Sequence, residues 1–204
     1  MQINHGTSIC YTLALSGCLI AHYNGNTRTA RELLRLLLEQ AQKHSVQLFY
    51  TWAQHYAQVI DSAEAPPSPR AAVGLIKEIM VTLDTALVDD DLLQRADSGA
   101  AGWSTAEILR ARAEALLAAD CPVKNCTAET VLIKATNVAK SQGALAWELR
   151  SASSLARLWQ RQGRCRQAHT LLAPIYQRFT EGHATPDLKA ARHLLDELQG
   201  YLPT

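Results

Sequence analysis

Apolar residues recur every three or four positions along most of the chain, which is the spacing of one face of an α-helix. In the stretch 27–44, for example, Ala30, Ala41 and the leucines at 33, 34, 37 and 38 fall on one face. Turn and capping residues divide this pattern into about nine helical segments. Their predicted ranges are 7–23, 27–44, 46–63, 71–88, 104–119, 127–142, 144–162, 165–179 and 185–200. No segment has a convincing strand pattern.

Proline and capping residues indicate where the helices begin and end. The Pro-rich stretch 65–69 is the clearest break. Ser104 with Glu107 predicts a capping box, in which each side chain bonds the backbone N–H of the other residue. Thr127 is the expected cap of the next helix, after a loop over 120–126. The segment of about 89–102 has little pattern, and we expect it to be irregular.

Composition supports an all-α fold. Leucine (29) and alanine (32) far outnumber valine and isoleucine, which together contribute 17 residues. This balance favours helices over sheets and excludes an all-β sandwich or a parallel α/β sheet. The 204 residues predict one domain, over 1–204. Helices joined by short turns pack as antiparallel hairpins. Pro174 lies inside one predicted helix and should kink it or end it early.

The charge balance narrows the classes of partner. Twenty Lys and Arg residues against 19 Asp and Glu give a net charge of +1. A chain this neutral lacks the positive field of a dedicated nucleic-acid binder or of a polybasic membrane binder. We therefore expect no membrane contact, and direct nucleic-acid binding is not favoured.

The cysteines and the N-terminal stretch predict a cytoplasmic protein. Five cysteines are an odd number in a chain that needs no disulfide stapling, so reduced thiols are expected. The first charged residue is Arg28, whereas a signal peptide carries Lys or Arg before its apolar stretch. The apolar run 9–20 is too short to span a bilayer. We expect it to form a buried first helix, with Cys10 and Cys18 as buried apolar residues.

An internal repeat is present near the end of the chain. Small residues at Ala156 and Ala168, an aromatic at Trp159 and a turn at Gly163 match the tetratricopeptide pattern. Weaker copies run from 18 to 37 and from 113 to 135. The spacing is irregular: Ala128 and Ala168 are 40 residues apart, against about 34 in a regular array. The fold class we predict is therefore a tetratricopeptide-like α-α superhelix of antiparallel hairpins.

Longer motifs carry a more specific resemblance. They are GWSTAEILRARAEALLA at 102–118, WELR at 147–150, LW at 158–159, FTEG at 179–182 and TPDLK at 185–189. With these motifs, the chain resembles the C-terminal helical-repeat region of bacterial multidomain signalling proteins. Those proteins join a predicted STAND-type ATPase to a class III nucleotide cyclase or a winged-helix regulator. Residues 5–60 resemble the preceding repeats, and 64–101 depart from them. The resemblance implies a scaffold or sensor role.

No sequence motif indicates catalysis. There is no GxxxxGK[ST] or GxGxxG loop for phosphates and no HExxH for zinc. Cys121 and Cys126 are five apart without a second pair, and a structural zinc site needs four ligands. Residues 89–91 are three aspartates, which could coordinate a divalent cation, although a solvated acidic loop is the commoner case. We expect no catalytic residue, metal or cofactor.

One polar stripe is the predicted partner site. Between Leu149 and Thr180 there is no acidic residue but there are six arginines. Helical spacing aligns a set of polar residues on the helix 144–162: Arg150, Ser153, Arg157, Gln160, Arg161 and Arg164. In a tetratricopeptide frame this face lines the concave groove. Since guanidinium groups suit carboxylates and phosphates, an acidic protein or peptide is the expected partner.

Alternatives remain open for these arginines and for the function. The arginines could instead pair with acids on neighbouring helices, such as Glu107, Glu114 or Glu148, or be solvated. Trp103 or Trp147 could anchor a partner, whereas Trp52 and Trp159 are expected in the core. We expect a non-catalytic interaction or signal-sensing module that regulates an attached or separate effector. The first alternative is a transcription-regulator fragment contacting nucleic acid through 150–178, and the second is a small all-α enzyme.

Overall fold

The computed structural model describes residues 5–60, 74–118 and 122–201, and in these ranges it contains helices and no strand. The prediction of an all-α fold is confirmed. The helices are α1 Gly6–Thr12, α2 Cys18–Tyr23, α3 Thr27–Lys43, α4 Gln47–Ile60, α5 Leu75–Leu83, α6 Asp90–Asp97, α7 Thr105–Leu117, α8 Pro122–Ser141, α9 Leu145–Arg161, α10 Cys165–Gln177 and α11 Pro186–Gln199. A π-helical turn, Leu13–Gly17, joins α1 to α2, and short 3-10 turns span Thr85–Leu87 and Gly102–Ser104. The predicted break at 65–69 lies outside the described residues.

The chain divides into two compact units, Met1–Asp84 and Thr85–Thr204. In the first unit α1 and α2 pack on α3, α3 packs on α4, and α5 contacts α2 and α4. Its core includes Phe49 and Tyr56, and the Tyr56 hydroxyl donates a hydrogen bond to the Ala14 carbonyl (2.8 Å) in the π-helical turn. Cys10, Cys18 and Trp52 are buried as predicted. A single domain over 1–204 stays a prediction.

In the second unit the helices from α7 to α11 pack in sequence, each on the next. In addition, α7 contacts α9 and α9 contacts α11. Two faces of α9 contribute to separate apolar clusters. Leu155 and Leu158 pack with α7 and α8, while Leu149, Ala152 and Ala156 pack with α10 and α11. The alanines predicted at helix contacts, at 30, 113, 128, 156 and 168, are all fully buried.

The glycine turns around α9 are confirmed. Gly143 and Gly163 have φ of 66° and 73°, which is the left-handed backbone region that glycine adopts without a steric penalty. They separate α8 from α9 and α9 from α10, close to the predicted boundaries. Continuous helical apolar spacing between two such turns is what made these helices predictable.

The expected irregular segment over 89–102 is wrong in its first half. Residues Asp90–Asp97 form α6, and the Asp89 carboxylate caps this helix by accepting a hydrogen bond from the Leu92 N–H (3.0 Å). Only Leu92 and Ala96 are buried along its two turns. Two apolar positions are too few to stand out as a period in the sequence. Asp89 thus serves as a helix cap.

Two other local predictions are also wrong, and a third is wrong in one of its two alternatives. Ser104 and Glu107 form no capping box, because the Ser104 hydroxyl donates to the Ala101 carbonyl (3.0 Å) and Glu107 bonds arginine side chains. Thr127 is no cap, since α8 already begins at Pro122 and the loop expected over 120–126 is helical from there. Pro174 does not end α10 early, because the helix continues to Gln177, and the kink that was the other expected effect stays a prediction. Proline removes one backbone donor and its ring crowds the carbonyl of residue i−4, but the hydrogen bonds on either side of it still carry this helix for another turn.

Candidate functional site

The polar faces of α7, α9 and α11 line a cleft of about 120 Å³, which we call the α7–α9–α11 cleft. Its charged and hydroxyl-bearing lining residues are Arg110, Glu114, Arg150, Ser153, Ser154, Arg157 and Asp187. Pockets for drug-sized ligands measure about 300–1,000 Å³. The cleft therefore has room for the end of a side chain and does not enclose a drug-sized ligand.

Glu107 is the buried anchor beneath this cleft. Glu107 is fully buried, with 0% of its surface exposed. The Arg110 guanidinium donates two hydrogen bonds to its carboxylate, from Nε to Oε1 (3.0 Å) and from Nη2 to Oε2 (2.9 Å). Arg150 Nη1 lies 3.0 Å from the same Oε2. One buried carboxylate thus holds guanidinium groups from two helices, which meets the requirement that a buried charge be paired.

Arg110 is fixed in its charged form. Burial alone would lower the pKa of Arg110, but the hydrogen bond and charge of Glu107, together with the charges of Glu114 and Asp187, raise it instead. Arg110 also lies 3.9 Å from Glu114. Its guanidinium is therefore a permanent positive charge in the floor of the cleft.

Arg150 is the first residue of the predicted stripe, and it is held by acids. Its side chain is 18% exposed and bridges Glu107 on α7 and Asp187 on α11, where its Nε lies 3.7 Å from Oδ2. Its guanidinium also stacks over the Trp147 ring, 5.4 Å from the centroid. The alternative interpretation, pairing with Glu107, is confirmed for this arginine. Trp147 is half-buried, whereas Trp103 is exposed.

Ser153 and Arg157 line the same cleft, and neither side chain has a polar partner among the described residues. Ser153 is 6% exposed, and its hydroxyl has no hydrogen-bond partner among the described residues. Arg157 lies one turn further along α9, is exposed, and has no acidic partner in the described part of the chain. Arg157 also borders a second cleft of about 260 Å³ between α9 and α11. Gln160 lines that cleft and donates to Glu197 (3.1 Å).

Arg161 and Arg164 complete the predicted stripe but line neither cleft. Arg161 is exposed and has no acidic partner within the described ranges. Arg164 turns towards α8, where its Nη1 lies 2.7 Å from Glu129 Oε1, and its guanidinium covers the Trp159 ring (4.7 Å to the centroid). Of the six predicted residues, the structure thus brings three, Arg150, Ser153 and Arg157, to one cleft.

Glu129 is a second paired carboxylate, and it fixes the half-buried Trp159. It accepts hydrogen bonds from Trp159 Nε1 (2.8 Å) and from Arg164 Nη1 (2.7 Å). Partial burial would raise the pKa of Glu129, but the bonds from Arg164 and Trp159 and the charge of Arg164 outweigh it and lower the pKa. Arg178 is likewise paired, with the buried Glu148 (2.6 Å). Arg164 and Arg178 therefore support the packing of the second unit.

Three charged residues of the cleft, Arg110, Glu114 and Asp187, were absent from the predicted site. The signal for Arg110 was the spacing of Glu107, Arg110 and Glu114, which places all three on one face of α7. No local pattern could identify Asp187 as a site residue. An acidic residue is common in the first turn of a helix, where it interacts favourably with the helix dipole. Its approach to Arg150 depends on how α11 packs against α9.

Comparisons with protein-family models, curated proteins and solved structures find no match to this chain. Across the described ranges, no group of three or more His, Cys, Asp and Glu side chains is placed to hold a metal ion. Each helix in those ranges is also too short or too polar to span a lipid bilayer.

Proposed function

We propose that this chain is a non-catalytic protein-interaction module, a tetratricopeptide-like superhelix that regulates an attached or separate effector. An acidic segment of a partner protein binds along the α9–α11 side of its second unit. ATPases, cyclases and transcriptional regulators are the effector classes that the sequence resemblance implies.

The observation that carries this proposal is the contrast between the arginines of α9. Arg150 has buried or half-buried acidic partners, whereas Arg157 and Arg161 are exposed and lack an acidic partner in the described residues. Unpaired guanidinium groups beside a narrow cleft can form charge-assisted hydrogen bonds with carboxylates, each contributing about 1.5–3 kcal/mol. The contacts of α7 with α9 and of α9 with α11 support a stacked-repeat arrangement in which these three helices line one side.

The test is the binding of a fluorescein-labelled decaglutamate peptide, measured by fluorescence anisotropy. We expect the Arg157→Ala/Arg161→Ala double variant to lose at least about tenfold in affinity, which corresponds to about 1.4 kcal/mol. Arg28→Ala/Arg35→Ala is the matched control, since it removes the same charge from exposed positions of α3. Absence of binding by the wild type, or an equal loss in both double variants, would overturn the proposal.

A labelled DNA duplex in the same assay tests the nucleic-acid alternative. Pairing of Arg150, Arg164 and Arg178 within the protein leaves fewer arginines of 150–178 available to phosphates. We therefore expect no more than weak DNA binding. Strong binding that falls steeply with salt and needs Arg157 and Arg161 would replace the protein-interaction proposal with the nucleic-acid one.

A further inference from the structure

We propose that Asp187 is a built-in competitor for the partner's carboxylate. On this view, which rests on the proposed function, an Asp or Glu side chain of the partner takes the place of Asp187 beside Arg150. Asp187 thereby sets the affinity of the site.

The two acids that contact Arg150 differ in how easily they can be displaced. Glu107 is 0% exposed, lies 3.0 Å from Arg150 and is also bonded twice by Arg110. Asp187 is 44% exposed and lies 3.7 Å away, close to the outer limit of an ion pair. Partly exposed pairs of this kind contribute little to stability. Asp187 can therefore give up its position while Glu107 keeps Arg150 in place.

An incoming carboxylate would gain contacts that Asp187 does not make. Ser153, a residue that is 6% exposed, lines the cleft on the same side of α9, and its hydroxyl has no hydrogen-bond partner among the described residues. The exposed guanidinium of Arg157 lies one helical turn further along. A carboxylate entering at Arg150 could accept hydrogen bonds from both groups, with the bidentate geometry that guanidinium favours.

The charges of the cleft indicate why Asp187 weakens binding. The lining carries three arginines, Arg110, Arg150 and Arg157, against two carboxylates, Glu114 and Asp187. With the buried Glu107 beneath them, which pairs with Arg110 and Arg150, these charges sum to zero. Removing the charge of Asp187 raises the sum to +1, which suits one monoanionic carboxylate, and at the same time vacates the position next to Arg150. Both effects strengthen the attraction for an external carboxylate.

The experiment compares Asp187→Asn with Asp196→Asn, using the decaglutamate peptide and anisotropy at fixed salt. Asp196 is on the same helix, is exposed and pairs with Arg192 (3.0 Å), so its variant makes the same change in net charge away from the cleft. We expect Asp187→Asn to bind the peptide about threefold to tenfold more tightly, and Asp196→Asn to change the affinity less than about twofold. Thermal melting of both variants checks the fold, and Asp187→Ser is a second neutral variant.

The outcomes separate this inference from the proposed function. Equal or weaker binding by Asp187→Asn and Asp187→Ser, with the wild type binding the peptide, overturns the role of Asp187 and leaves the proposed function standing. An equal gain in Asp196→Asn also overturns it, because the effect would then be one of net charge. Absence of binding in all the variants contradicts both proposals.

Discussion

Arg150 Nη1 lies 3.0 Å from Oε2 of Glu107, and this contact joins α9 to α7 across 43 residues of sequence. Glu107 is fully buried, so Arg150 neutralises a charge that water cannot reach. Arg157, two turns along the same helix, is exposed and without an acidic partner in the described residues. Two arginines that look equivalent in the sequence therefore have different roles.

The Glu129 contacts predict a pH-dependent contribution to stability. Because the pKa of Glu129 is lowered in the folded protein, its ion pair stabilises the fold above the unfolded pKa of about 4.3. This stabilisation is lost as the pH falls through the lowered value. We expect Glu129→Gln to reduce the free energy of unfolding by about 1 kcal/mol at pH 7. The difference should shrink as the pH falls below the unfolded pKa towards the lowered value of the folded protein, as measured by urea titration.

Glu181→Gln is the control for this titration, since Glu181 is exposed in the same unit and has no partner among the described residues. It should change stability by less than about 0.5 kcal/mol at each pH measured. A Glu129→Gln effect of constant size from pH 7 to pH 3 would show that the charge of Glu129 has no role.

Thiol reactivity should distinguish buried from exposed cysteines. Burial raises the pKa of Cys18 to about 11, and it also raises the pKa of Cys10. At pH 8 only roughly one Cys18 thiol in a thousand is ionised, and the thiolate is the reactive form. We expect N-ethylmaleimide to label the exposed Cys126 rapidly, and Cys10 and Cys18 only after unfolding in urea.

Peptide mass spectrometry of the labelled protein gives the site of each modification. A Cys121→Ser background simplifies the experiment, because Cys121 lies outside the described residues. Rapid labelling of Cys10 or Cys18 without denaturant would contradict the burial of the first helix.

The Tyr56 hydroxyl should contribute measurably to the stability of the first unit. It donates to the Ala14 carbonyl from a fully buried ring. Tyr56→Phe removes the donor, and we expect a loss of about 1 kcal/mol in the free energy of unfolding. Tyr11→Phe, at a ring that is 49% exposed, should be near neutral. Equal effects of the two changes in urea titrations would argue against the buried hydrogen bond.

The helices of the second unit could be predicted because local signals agreed with one another. Between Gly143 and Gly163 the apolar positions keep a helical period, and Ala156 and Ala168 are small where helices touch. Such information is contained in a window of about 20 residues. The short helix α6 has no such signal, because its two buried positions, Leu92 and Ala96, are too few to show a helical period.

The site was only partly predictable, because its charges meet through packing. The Ser104 and Glu107 spacing fits a capping box, but helical spacing also turns Glu107 towards Arg110. Whether Arg150 reaches Glu107 depends on the register of α9 against α7, which no local pattern specifies. The sequence therefore indicated the arginine-bearing face of α9 but not which of its arginines are paired.

The central claim is that α9 carries one arginine that stabilises the fold and another that is available to a partner. The most direct test compares Arg150→Ala with Arg157→Ala in urea unfolding at pH 7. Arg150→Ala removes one of the two guanidinium groups that pair with the buried Glu107 and leaves Arg110, whose Nη2 lies 2.9 Å from Glu107 Oε2. We expect it to lower the free energy of unfolding by about 2 kcal/mol. Arg157→Ala should change the free energy of unfolding by less than about 0.5 kcal/mol. Equal effects of the two substitutions, or a larger loss for Arg157→Ala, would contradict the separation of α9 into a structural and an available arginine.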